Sequence, residues 1–381
     1  MEDSGSRPWK SILIFIAVGL LLAAVSNVSA QQEPVRLGVA FPLSSLYGQQ
    51  TNSGAQLALK EVNDRGGILG RPVRAIIVDN QDKPEEAVAV LERLITRDKV
   101  HAVAASFSSL TGLAEQKVTD RYKILHMAIA AKGDRLPYEG HPMVFYLNTT
   151  ISQDSKTYNE FLAKRLRPKR VAVMLENTDY GQSCLASLKR DWTGGGAPEI
   201  VTVETYEKLE QDFTAILTKV KSMNPDVIYF ANGTVEVNAN IALQIDQLGI
   251  KATKVLAPGQ INDDLVRVAG KSAEGIISGD IYIYTLDTPE NMAFVSAYEA
   301  VNKAKPQKVT LFAYEAIKVL ADAMTKAGTV EDKERIAGVL RTSTFMTPRG
   351  KIRFHLEGKS YQVDGDYKVL TVKNGKIVSY R

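Results

Sequence analysis

The sequence predicts an α/β protein built as two doubly wound, Rossmann-like lobes. Short apolar runs alternate with amphipathic helical stretches, and a second series of the same kind begins after residue 150. The length, 381 residues, is also too great for one comfortable core. An apolar content of 45% is ordinary, so both halves should be globular rather than disordered.

The first thirty residues stand apart from that fold. Arg7 and Lys10 make a basic start, residues 12–25 are an unbroken apolar run, and Val28-Ser29-Ala30 is the small-x-small pattern that a signal peptidase cuts after. Residues 1–30 therefore read as a signal peptide cut near Ala30, and export to the periplasm is expected. The run is shorter than the roughly 20 residues of a membrane-spanning helix.

The first crossover begins with a strand at residues 35–41, which Pro42 ends. A polar loop, 43–47, should follow. Gly54, Ala55, Ala58, Leu59 and Val62 recur at helical spacing, Gly66-Gly67 stops that helix, and a second strand runs over 73–79. Strand, helix and strand make a right-handed parallel unit whose carboxyl-end loops are where open sheets bind ligands. A helix with Ala87, Val90, Leu91 and Leu94 on one stripe leads to a third strand at 100–105. Ser106-Phe107-Ser108-Ser109 then opens a helix. Free backbone N–H groups and serine hydroxyls there suit an anion such as a carboxylate, while plain helix capping by Ser108 or Ser109 explains them equally well.

Further strands are expected at 124–128, 144–147, 171–175, 200–205, 227–230, 255–257 and 276–279, with helices starting near Asp154, Tyr180, Phe213, Val235 and Asp263. The lobe boundary should fall near 148–154. From 289 to 340 the pattern is helical, and β-like runs at 350–354 and 367–372 close the chain, with a turn at Lys373-Asn374-Gly375. Helices without enough strands of their own must cover a sheet made earlier, so the chain crosses between lobes more than once. The expected division is 34–150 plus 284–345 for lobe 1, and 151–283 plus 346–381 for lobe 2.

Composition and motifs exclude several functions. A net charge of +4 survives removal of the leader, because Glu2 and Asp3 offset Arg7 and Lys10, and so small an excess does not describe a nucleic-acid binder. The basic run 164–170 reads as a solvated cap at a helix end. Cys184, the one cysteine, reads as a small buried hydrophobe. His101, His126, His141 and His355 are scattered, and the sequence has no Gly-x-Ser-x-Gly elbow or phosphate-cradling loop. No catalytic residue, metal site or cofactor is expected, and an exported hydrolase would need a Ser–His pairing that the sequence does not display.

Several motifs together resemble a known family. They are Gly38 with Pro42, then Gly48, Gly54, Leu57-Ala58, Val62-Asn63 and Gly66-Gly67-Ile68-Leu69-Gly70-Arg71. Asp79-Asn80-Gln81-Asp82-Lys83-Pro84 with Ala87, Ser108-Ser109 with Ala114, Tyr180-Gly181, and Thr347 with Gly350-Lys351-Ile352 and Phe354 follow in order. The chain resembles the branched-chain amino acid (Leu/Ile/Val-binding) type of periplasmic solute-binding protein. The resemblance implies a type I binding protein with three crossovers at the hinge, a monomer that closes on a small ligand and delivers it to a membrane ABC permease. A ligand-sensing receptor module for a membrane signalling partner would use the same fold.

By the same resemblance, Ser109 grips the ligand's carboxylate, Ala130 and Lys132 belong to a loop that supplies backbone contacts, and Tyr180 closes over the ligand from the second lobe. Tyr47 and Ser44 lie in the loop after the first strand, and Ser108, Asp154, Asn232 and Gln260 complete the expected ligand-binding set. Amino acid binders of the family have a threonine where Lys132 stands and an acid in the loop that here reads Pro258-Gly259-Gln260-Ile261-Asn262. A lost acid and a gained lysine point to a carboxylate ligand without an α-ammonium, such as an aromatic or keto acid.

Overall fold

The computed structural model describes Met1 and residues 33–380. The expected signal peptide therefore lies almost wholly outside the described residues. Fifteen strands among those described form two sheets. The first-series strands are β1 (Val35–Phe41), β2 (Val73–Asp79), β3 (Ala102–Ala105), β4 (Leu125–Ala128) and β5 (Val144–Tyr146), and the second-series strands are β6 (Arg170–Glu176), β7 (Glu199–Tyr206), β8 (Val227–Ala231), β9 (Thr253–Leu256) and β10 (Ile277–Asp280). The tail adds β11 (Thr344–Thr347), β12 (Gly350–Glu357), β13 (Ser360–Val363), β14 (Lys368–Lys373) and β15 (Lys376–Ser379).

Each series is parallel and doubly wound. The first sheet runs β11-β12-β13-β5-β4-β3-β1-β2, and the second β15-β14-β10-β9-β8-β6-β7. Strand order reverses between β1 and β3 in one sheet and between β6 and β8 in the other, the crevices where open α/β sheets take ligands. Strands buried on both faces need continuous apolar runs, which is why 35–41 and 171–175 were readable.

The tail corrects the expected lobe division. Residues 346–363 were assigned to the second lobe, yet β13 pairs parallel with β5, and β12 and β11 follow antiparallel along the edge of the first sheet. Phe345 and Phe354 join the first core, where Phe354 meets Phe145 edge to face at 5.3 Å. The chain passes between sheets at 147–169, at 281–343 and at 364–367, so the third crossing falls about twenty residues later than expected. The β14–β15 hairpin turns at Asn374 and Gly375, both at positive φ as a two-residue turn requires.

Helices Pro289–Asn302 and Lys308–Ala327 cover the first sheet, their Phe294, Leu311, Phe312, Leu320 and Met324 lying in its core. Lys308–Ala327 lies against Leu46–Asp64 so closely that a Cβ on Gly54 would stand 2.0 Å from the carbonyl oxygen of Thr310. Ile151 and Tyr158, on helix Ile151–Phe161, pack instead with the second sheet, and so does buried Cys184.

Candidate binding cleft

The carboxyl ends of the two sheets face each other across a cleft. Its first-lobe wall is made by Tyr47, residues 107–109 and residues 130–132, and its second-lobe wall by Glu176, Tyr180, Lys208, Gly233, residues 259–262 and Asp280. Residues 282–285 and 306–309, on the second crossing between sheets, line the remaining side.

Tyr47 does line the cleft, but from a helix. Ser45 accepts the Gly48 amide at 2.9 Å and so starts the helix at Leu46, where a loop through residue 47 was expected. Two of the three serines after β3, Ser108 and Ser109, divide their roles. Ser108 is the N-cap of helix Ser109–Tyr122 and donates its hydroxyl to Asp82. Ser109 Oγ accepts the amides of Gly133 at 2.8 Å and Lys132 at 3.3 Å, which leaves its own proton to donate. Across the cleft, Tyr180 donates to the Pro258 carbonyl at 3.3 Å, and the buried Gln260 carboxamide oxygen has no partner.

Of the expected residues, Tyr47, Ser108, Ser109, Ala130, Lys132, Tyr180 and Gln260 line this cleft together. Three do not. Ser44 is exposed on the turn before the first helix. Asn232 is buried beside the wall, donating to the Lys208 carbonyl at 2.9 Å and accepting the Thr234 amide at 2.7 Å. Asp154 sits behind Lys132 as its ion-pair partner, both almost fully buried.

That pairing changes the electrostatic reading. Lys132 is matched by Asp154 and also donates to Thr149 at 3.2 Å. Lys308 reaches Asp280 and the Gly259 carbonyl, each at 2.7 Å, and Lys208 pairs with Asp82. All three pairs join a residue of one lobe to a residue of the other. Nor is the cleft without acids, as the loop 258–262 suggested: Asp280 and Glu176 both reach it. Glu176 accepts the Thr178 hydroxyl at 2.5 Å and the Gly233 amide at 2.7 Å, and burial raises its pKa.

Sequence reasoning missed Phe107, Glu176, Lys208, Asp280, Tyr282, Tyr284 and Lys308. Glu176 and Asp280 each end a strand one position past its expected limit, so the carboxyl-end rule applied one residue further would have found them. Nothing local marks Lys308, which opens a helix far along the chain.

A family model described as periplasmic binding protein matches residues 34–376. The chain belongs to that family. Its curated relatives include Leu/Ile/Val-binding proteins, and its two-lobed fold is that of type I binding proteins. The leucine-, isoleucine-, valine-, threonine- and alanine-binding protein of Pseudomonas aeruginosa is 26% identical over 89% of this binding protein and 90% of that relative. The LivJ substrate-binding protein of Streptococcus pneumoniae, solved with isoleucine, superposes with a TM-score of 0.82 at 24% identity, covering 91% of this chain and 98% of that one. A solute-binding protein of R. palustris, solved with benzoate, gives a TM-score of 0.83 at 21% identity, covering 91% and 95%. These two structural likenesses establish the shared fold. Members of the family are periplasmic, take small molecules and work with ABC permeases; they are substrate-binding proteins rather than enzymes.

Proposed function

We propose that this binding protein is the exported substrate-binding component of an ABC importer, and that it closes its two lobes on a small carboxylate-bearing ligand, an amino acid or a related aromatic or keto acid. The observation that carries the reading is Ser109. It stands at the first turn of a helix with both lone pairs engaged and its proton free, so the group that completes it is an acceptor, and the helix terminus favours a negative one. Tyr47, Phe107, Tyr180, Tyr282 and Tyr284 offer rings for the ligand's body, and the unpartnered Gln260 oxygen calls for a donor on it.

The cleft's lysines no longer argue against an α-ammonium, since each has a carboxylate partner. Glu176, the lining acid without an ion pair in contact, is where an ammonium would be accommodated. No helix among the described residues is long and apolar enough to cross a membrane. Closure itself is a population shift: contacts from the second lobe exist only in the closed form, so a ligand touching both walls favours it.

Titration calorimetry tests this with paired probes. Leucine against leucinol, and benzoate against benzyl alcohol, ask for the carboxylate; leucine against its keto acid and phenylalanine against phenylpyruvate ask for the ammonium. Binding of at least one carboxylate with loss of its alcohol counterpart is expected. Alcohols that bind as tightly as the acids refute the reading.

A further inference from the structure

Glu115 is fully buried on helix Ser109–Tyr122, nearly two turns on from the cleft-lining Ser109 and outside that lining. One carboxylate oxygen accepts the Asn80 side-chain amide at 3.0 Å, and the other accepts the backbone amide of Ser106 at 2.6 Å and its hydroxyl at 2.9 Å. Ser106 holds a left-handed backbone, φ 59°, and its carbonyl accepts the amides of Ala130 at 3.1 Å and Ala131 at 2.9 Å. One carboxylate thus reaches the loops after β2 and β3 directly, and the loop after β4 through Ser106. Residues 107–109 and 130–132 form most of the first-lobe wall, and the loop after β2 carries Asp82, which takes the Ser108 hydroxyl and the Lys208 ammonium.

Three donors converging on one side chain require a group that only accepts. An ionised carboxylate does so, whereas a carboxamide would set its NH2 against one of them. Behind Ser106 the donors run in one direction. His126 Nε2 lies 3.0 Å from the Ser106 hydroxyl, His126 Nδ1 3.1 Å from the Thr119 hydroxyl, and His141 Nε2 2.9 Å from that same hydroxyl. With the Ser106 proton directed at Glu115, each histidine donates toward Ser106 from Nε2, and His126 accepts at Nδ1.

We propose that Glu115 is a positioning residue which holds the three first-lobe loops in their binding arrangement before any ligand arrives. Its effect on affinity rests on the cleft being the ligand site; its effect on the loops does not. Burial pushes the Glu115 carboxyl up to about 7, so its charge, and with it the hold on Ser106, responds to pH near neutrality. Of the groups facing it, His126 and His141 are held neutral by burial, at about 3 and about 4, the Tyr146 phenol stays protonated, and Asp82 adds negative charge.

Hydrogen–deuterium exchange on the ligand-free protein tests the proposal at pH 8 and pH 5. Glu115→Gln should lower protection by about 10-fold in peptides spanning 106–109 and 129–132 at pH 8, the worth of one hydrogen bond to a charged group, with β8 unchanged. At pH 5 the wild type should lose most of that advantage over the variant. Calorimetry with leucine, phenylpyruvate and benzoate should show the variant weakened by a similar factor for whichever probe binds the wild type. If none of the three binds the wild type, the ligand reading falls while the exchange result still decides the role of Glu115. Unchanged loop protection, or loss of protection spread evenly over both lobes and both pH values, overturns the proposal. Should Glu115→Gln not fold, Ser106→Ala removes one of the three donors to Glu115, together with the acceptor of His126 Nε2, and leaves the carboxylate in place; it must show the same local pattern at smaller amplitude.

Discussion

Removing either partner of the Lys308–Asp280 pair should cost far more than removing both. The two side chains meet at 2.7 Å with only 11% and 4% of their surfaces exposed. Burial is the leading influence on each, lowering the lysine's pKa and raising the aspartate's, so desolvation presses both toward the neutral form despite their mutual attraction. A pair in that condition adds little net stability, whereas one partner left alone is an uncompensated buried charge, at about 3–5 kcal/mol. Lys308→Met and Asp280→Asn should each lower stability by about that amount, and the double variant should recover to within about 1–2 kcal/mol of the wild type, a coupling of at least about 4 kcal/mol. Because Lys308 opens a helix on the first sheet while Asp280 ends β10 of the second, the loss also loosens the junction between lobes. Urea unfolding of the four proteins without ligand at pH 7.5 measures the cycle. Additive single effects, or single losses below about 1 kcal/mol, would refute the reasoning.

Three further outcomes follow from the same structure. The local hold on the loops needs the ionised form of a carboxyl that stays buried, whereas global unfolding releases Glu115 to water, where it ionises more readily; the stability of the wild type minus that of Glu115→Gln is therefore greatest below about pH 4.5 and should fall by about 3 kcal/mol as pH rises through about 7, and parallel urea curves would contradict it. Gly54→Ala should destabilise by about 3 kcal/mol, because its Cβ would meet Thr310 backbone, while Gly338→Ala, with nothing within 4 Å and inside helix Lys333–Thr342, should stabilise by about 0.5–1 kcal/mol in thermal unfolding. Lys208→Ala removes the pair with Asp82 at the rim between lobes, and the partly exposed setting limits its effect to about 1 kcal/mol, seen as a larger radius of gyration without ligand and about 5-fold weaker binding; an unchanged scattering curve would count against a latch there.

The doubly wound series was legible because parallel strands buried on both faces are continuous apolar runs and their covering helices keep one apolar stripe. Ser108 and Ser109 stood out locally as a hydroxyl-rich loop opening a helix, whereas Ala130 and Lys132 came from the family resemblance. Tyr47 was found in the right place but on the wrong element, since one capping hydroxyl, Ser45, draws the helix back over a stretch that reads as loop. Residues 350–354 read correctly as β-like, but the strands on either side of them were not read and the whole stretch 346–363 was given to the other lobe. Alternation along a strand says which face is buried, not which sheet edge it will extend, and here the Phe145, Phe345 and Phe354 contacts chose. Lys132 and Asp154 were each picked out as ligand contacts, and Lys308 was not noticed at all. Their pairing depends on two lobes meeting across a hinge, at separations of 22 residues for Lys132 with Asp154 and 28 for Lys308 with Asp280. By itself the sequence determined the layers, the element order and the loops that face the cleft, because local periodicity is written residue by residue. The cleft's charge balance was decided only by the tertiary structure, because which lysine neutralises which carboxylate is set by distance in space.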